Sequence, residues 1–243
     1  MPSVLAYHRP TTLDEASALL AEPNRRAIGG GTIVVPESRE QHEQGVELVD
    51  LQGLGLSNVD VTATEVRVGA MVRLSDIADD QAMPPVLAEL ARRELPSALR
   101  NQATVGGTVA LADPESVFLA GLLAYDAIVH FHGADRMTLP QLLDQGIGKR
   151  LITAVSFDPQ GAAAWAATGR TPKDTPIVAA VMLRRDNGDQ TVALTGVANV
   201  PVLVDADDPT ANLAPPSDFR GSVEYRRHIA AVLTRRAFEG LNQ

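Results

Sequence analysis

Gly29-Gly30-Gly31, followed by Thr32, ends a short apolar run, and a second pair, Gly106-Gly107, stands between Thr104 and Thr108 about seventy residues later. These two segments constrain the fold more than anything else in the chain. Consecutive glycines tolerate positive φ and mark places where backbone turns sharply or approaches a neighbour closely. They also leave N–H groups bare, as a phosphate requires. Taken singly, each segment reads first as a structural turn. Taken together, they point to one ligand gripped from two sides. A dinucleotide, whose pyrophosphate lies between two bulky ends, suits such a grip. Neither segment is a Walker loop, because no Gly-Lys-Ser/Thr follows, and "GLGLSN" from Gly53 lacks the third glycine and following helix of a Rossmann fingerprint.

The remaining composition removes several function classes. At 243 residues the chain can form one large domain or a few small lobes with an ample core. A formal net charge of −9 argues against a nucleic-acid partner, since basic residues occur only as pairs and triplets such as Arg25-Arg26 and Arg235-Arg236. The chain has no cysteine, which excludes disulfides, thiolate catalysis and a self-ligated iron–sulfur cluster. "MPSVLAYHRPTTLDEA" lacks the basic start and apolar centre of a secretory leader, and no apolar run reaches the roughly 18 residues of a membrane span, so a cytoplasmic protein is expected.

Periodicity outlines the elements. Thr12 is placed to cap a helix whose apolar face is Leu13, Ala16, Leu19 and Leu20. Strands are expected over 26–28 and 46–51, and "VDVTATEVRVGAMV" alternates about Ala63-Thr64 as a hairpin. Ser75 opens a short helix, "PPVLAELARREL" forms another, and "FLAGLLAYDA" a third, followed by the strand "AIVHFH". From Leu151 the chain turns strand-rich: "LITAVSF", then "IVAAVMLRR" and "TVALTGVANV" joined at Asn187-Gly188. Residues 205–220 read as a surface linker, and Ser222 caps the final helix.

In order and spacing, "IGGGTIVV", "LRNQATVGGTVALADPES", "GLLAYDAIV" and "FRGSVEYRRHIAAVLTRRAF" resemble the FAD-binding medium subunits of the molybdenum hydroxylases, the family of xanthine dehydrogenase and aerobic carbon monoxide dehydrogenase. The resemblance implies an α+β chain: a two-lobed FAD-binding domain of the vanillyl-alcohol-oxidase (PCMH) type, with lobes over 1–58 and 59–158, and a shortened C-terminal strand-and-helix lobe over 159–243. It implies FAD held by Ile28, Gly29, Gly30, Gly31, Thr32, Ile33 and Val34 on one side and by Thr104, Val105, Gly106, Gly107 and Thr108 on the other. Backbone at Gly30, Gly31, Gly106 and Gly107 would make the main contacts, with hydroxyls from Thr32, Thr104 and Thr108. Ile152 would fall near the adenine or flavin edge.

The sequence departs from the family pattern at three polar positions. Ile33 stands where an aspartate is usual, Thr108 where an asparagine is usual, and Val117 where an aspartate usually lies near the ribityl chain. The resemblance further implies an electron-transfer role beside a molybdenum-cofactor large subunit and an iron–sulfur small subunit, with NAD, a quinone or oxygen as acceptor. The three departures motivate a second reading: a degenerate member without FAD, acting as a scaffold or assembly subunit.

Other candidates carry less. His130 and His132 sit two apart on an expected strand and could face one metal, but no third ligand is evident. Trp165 reads as a packing residue or a flavin-shielding aromatic. Asp79-Asp80 and the aspartates over 205–208 read as solvated loop charges. Ser222, Glu224, Arg226 and Arg227 read as a helix start with a solvated face, or a docking surface. No serine–histidine–acid pattern or catalytic acid or base is visible.

Overall fold

A computed structural model of the chain describes residues 4–40, 45–169, 171 and 174–242; the leader reading of the first three residues lies outside these. Among the described residues the strands form three sheets. In the first, β1 (Val4–His8), β2 (Arg25–Ile28) and β3 (Val46–Asp50) are parallel in the order β1-β3-β2. Helix α1 (Leu13–Ala21) makes the crossover from β1 to β2. Thr12 caps it as expected, its hydroxyl accepting from the Glu15 N–H, and Ala16 and Leu20 bury against Val49, Leu51 and Met71. The short helix α2 (Val34–Glu40) follows the first glycine segment.

The second sheet is antiparallel, with β4 (Val59–Val61), β5 (Val66–Gly69), β6 (Ile128–Phe131), β7 (Arg136–Thr138) and β8 (Ile152–Phe157) in the order β4-β5-β8-β6-β7. Between β5 and β6 run α3 (Leu74–Asp79), α4 (Pro85–Glu94), α5 (Ser97–Arg100), α6 (Val105–Leu111) and α7 (Val117–Ala124); α8 (Leu139–Gln145) joins β7 to β8. Arg73 rather than Ser75 is the residue before α3.

The third sheet is an antiparallel meander of β9 (Ala162–Thr168), β10 (Val178–Arg184), β11 (Gln190–Thr195) and β12 (Val202–Val204), completed by α9 (Val223–Gly240). The run "VAAVML" in β10 is apolar at every position because both faces of this sheet are covered. Ala179, Val181 and Leu183 join the core around α7, while Val178, Ala180 and Met182 pack with Ala230, Leu233 and Ala237 of α9. Helix α7 is buried along its whole length, which explains its uniformly apolar sequence. Each leucine it buries contributes about 1.5–3 kcal/mol relative to exposure.

Residues 205–220 form no helix or strand, yet they are not a free linker. Asp218 holds the fully buried Arg226 through both carboxylate oxygens at 2.8 and 2.9 Å, and Arg220 pairs with Glu115. Arg226 also donates to the carbonyls of Ile177 (3.0 Å) and Gly196 (2.8 Å). The reading of Arg226 as part of a solvated face is therefore corrected: its cation satisfies the buried backbone oxygens of Ile177 and Gly196 beside the third sheet.

A cavity between two glycine segments

The two glycine segments abut. At Gly30 an added methyl would lie 1.6 Å from the Gln102 carbonyl oxygen and 2.4 Å from its carbon, so no side chain fits there. At Gly31 the backbone turns with φ +73°, the left-handed region that glycine enters without strain, and leads into α2. The result is one cavity of about 410 Å³, within the range of small-molecule sites. Gly29, Gly30, Gly31, Thr32, Ile33 and Val34 form one wall; Thr104, Gly107 and Thr108 lie on the other.

The two walls differ chemically. Among the described residues, the N–H groups of Gly30 to Val34 have no hydrogen-bond acceptor, although the carbonyls of Gly31 and Ile33 accept from Val35 and Glu37. These donors are available to a ligand. The second segment is instead the start of a helix. Val105 donates to Val72 (2.9 Å), Gly106 to Ala70 (2.8 Å), Gly107 to the Thr104 hydroxyl oxygen (3.2 Å) and Thr108 to the Thr104 carbonyl (2.9 Å). Its glycines serve close packing and shape the wall; their N–H groups are engaged.

The expectation of backbone contact from Gly106 and Gly107 is corrected on this point. A methyl on Gly106 would meet Ala70 at 2.8 Å, so this glycine admits the strand behind it. The Thr104 oxygen accepts the Gly107 N–H, leaving its own proton to donate, whereas the Thr108 hydroxyl donates to the Thr104 carbonyl at 3.2 Å.

Four other expected residues stand off the cavity. Val105, Val117 and Ile152 are buried in the main core, and Ile28 packs with Val34, Val46 and Leu48. The Ile152 side chain is turned into that core and is not part of the cavity lining. Trp165 is half-buried on β9 beneath the Arg93 guanidinium, 5.9 Å from its ring centre, and does not line the cavity. His130 bonds the Ser156 hydroxyl and His132 the Asp14 carboxylate, each at 2.8 Å. The two rings thus have different partners, β6 ends at Phe131 after an irregularity in its pairing, and no metal-binding cluster occurs among the described residues.

Sequence reasoning missed the remaining wall: Arg26, Glu94, Asp113, Glu115, Ser116 and Thr175. Arg26 pairs with Glu37 at 2.5 Å. Glu94 ends α4 and accepts the Phe118 N–H at 2.9 Å, while Ser116 accepts the Leu119 N–H at 3.0 Å, so both cap α7. Burial pushes the Glu94 carboxyl up to about 7, against the opposing effect of the Phe118 and Ser116 hydrogen bonds. No motif signals this residue, because its role arises from two helix ends meeting.

That displacement has a sign. The folded state holds an extra proton between the ordinary carboxylate value and about 7, so stability falls as pH rises through this window. Glu94→Gln keeps an acceptor for Phe118 and removes the charge. At pH about 8 it should be more stable than the parent by about 1–3 kcal/mol, with the gap closing near pH 5. Thermal unfolding at the two pH values checks this; an unchanged or lower Tm at the higher pH contradicts it.

Comparison with known proteins decides the family. Residues 3–156 match the model of the FAD binding domain in molybdopterin dehydrogenase. The chain belongs to that family. It is 28% identical over 242 residues to the uncharacterized protein YgfM of Escherichia coli K12, covering 93% of this chain and 92% of that one. It is also 28% identical, over 279 residues, to the carbon monoxide dehydrogenase medium chain of Afipia carboxidovorans, covering 98% and 97%. The crystal structure of a cyanide-inactivated Cu,Mo-CO dehydrogenase superposes with a TM-score of 0.87 at 25% identity, covering 98% of each chain. FAD is thus the cofactor and the chain is an oxidoreductase subunit of the PCMH-type fold. The residues present fit it: the glycine segment that lines the cavity carries backbone N–H groups with no acceptor among the described residues, and Gly29, Gly30, Gly31 and Gly107 put no side chain into it.

Proposed function

We propose that this chain is the electron-transfer subunit of a molybdenum hydroxylase complex. In this reading a molybdenum-cofactor large subunit oxidises the substrate, an iron–sulfur small subunit relays electrons, and this chain delivers them to NAD, a quinone or oxygen in the cytoplasm. The observation that carries it is the meeting of the two glycine segments around one cavity with five unengaged N–H groups. The named medium-chain relatives support the subunit role, and the absence of cysteine suits clusters carried by another polypeptide.

When bound, FAD supplies the exchange between single electrons and electron pairs. The chain supplies grip and shape. The N–H groups of Gly30 to Val34 bind anionic oxygens, and the Thr32 and Thr104 hydroxyls add donors. Gly107 keeps the facing wall low. The three sheets support reading 1–58, 59–158 and 159–243 as three lobes, with the third closing the cavity through Thr175 and the Arg220–Glu115 pair. No side chain need act as an acid or base.

The second reading, a scaffold without FAD, is favoured by Ile33, which places an apolar side chain 38% exposed at the cavity wall, and by Val117, which lies in the core. The absorption spectrum of freshly purified protein, before and after adding FAD and gel filtration, separates the two. Flavin bands that travel with the protein at about one FAD per chain are expected. A colourless protein that ignores added FAD supports the scaffold reading instead.

A further inference from the structure

The cavity that the FAD reading assigns to the pyrophosphate carries a carboxyl group in its lining. Glu94 lines it together with Asp113, Glu115 and Ser116, and the first glycine segment lines the same cavity. The surrounding charges are distributed unevenly. Glu115 is neutralised by Arg220, and both side chains are largely buried. Asp113 is exposed to solvent, and its Oδ1 accepts the Glu115 N–H at 2.8 Å. Across the cavity Arg26 is paired with Glu37. On α4 itself, Arg92 and Arg93 both turn to Glu89, at 2.9 and 2.7 Å. Among the described residues no cation lies within ion-pair distance of Glu94. Its neighbours are the Phe118 and Val117 N–H groups and Ser116, which favour the anion, and the like charge of Asp113, which opposes it.

We propose that Glu94 makes FAD binding proton-linked: as the dianionic pyrophosphate enters, the Glu94 carboxyl takes up one proton from solvent. This rests on the FAD reading above. A carboxylate without a counter-cation, in a cavity whose walls are shared with the phosphates, repels them through a poorly screened medium. Protonation removes that repulsion and leaves one carboxyl oxygen to hold the Phe118 N–H, so α7 stays capped. The raised affinity of Glu94 for its proton makes the uptake accessible near neutral pH. By linkage, FAD affinity must then fall as pH rises. No group of FAD itself titrates in this range.

The test is an FAD titration by fluorescence quenching at constant ionic strength, with the parent and Glu94→Gln. The parent Kd should rise about three- to tenfold from about pH 6 to about pH 8.5. The Gln variant should change by less than about twofold and bind more tightly than the parent at the upper pH. Calorimetry of the parent in two buffers of different ionisation enthalpy provides a measure independent of any variant: about half a proton should be taken up per FAD near pH 7.5. A flat parent profile, an equal slope in Glu94→Gln, or zero proton uptake overturns the proposal while leaving the cofactor reading intact. Failure to bind FAD at any pH overturns both.

Discussion

Gly30→Ala is expected to lose FAD by at least about a hundredfold in Kd, because it forces the two walls of the cavity apart. The added methyl would overlap the Gln102 carbonyl at 1.6 Å. Both colliding groups are backbone, so no side chain can rotate away. Gln102 is itself held: its N–H donates to the Leu99 carbonyl at 2.9 Å, and Ala103 beside it donates to Leu99 at 2.8 Å and accepts from Leu74. Relief must therefore come from the first glycine segment, which carries the free donors. Overpacking of this kind typically costs about 1–3 kcal/mol of stability, a tolerable loss in a fold of this size. The variant should thus remain folded by far-ultraviolet circular dichroism while its ratio of flavin to protein absorbance after gel filtration falls towards zero. Full flavin content in a folded Gly30→Ala protein would contradict the placement of the ligand between the two segments.

Arg226→Leu should be the most destabilising single change around the third sheet and α9. The guanidinium is fully buried, donates to two carbonyls and chelates Asp218. Removing it leaves the Ile177 and Gly196 oxygens unsatisfied and the Asp218 carboxylate without its cation. The expected loss is about 3–5 kcal/mol, a fall in Tm of about 6–15 °C in thermal unfolding. The damage should reach the cavity as well. Gly196 donates to the Pro114 carbonyl at 2.8 Å, and Arg220, two residues from Asp218, holds Glu115 on the cavity wall. Flavin retention should therefore fall alongside Tm. A variant with unchanged Tm would show that Arg226 does not brace the third sheet and α9.

These two residues illustrate what the sequence discloses. Gly30 is legible because three consecutive glycines have few uses, and the left-handed turn at Gly31 with the contact at Gly30 explains two of them. The caps at Thr12 and Ser222 and the Asn187-Gly188 hairpin are likewise local, so residue type alone reveals them. The second glycine segment misleads because "TVGGTV" suggests a loop, whereas Thr104 caps a helix whose early N–H groups pair with the Ala70 and Val72 carbonyls in the turn that follows β5. That pairing is non-local, and glycine's low helix propensity masks it. The side chains of Val117 and Ile152 lie in the core instead of the cavity lining for a related reason: being near the motif in sequence says nothing about which way a side chain faces. Arg226 and Glu94 are hidden altogether. An arginine on a helix reads as surface, and a glutamate at a helix end reads as a solvated charge, until distant carbonyls and a second helix end are seen against them.

A crystal structure of the chain soaked with FAD tests the central claim most directly. The pyrophosphate oxygens should lie within about 3.2 Å of backbone nitrogens between Gly30 and Val34, with Gly107 and Thr104 facing them across the cavity. A dinucleotide bound outside that cavity, or one inside it whose phosphates contact none of those nitrogens, would contradict the account.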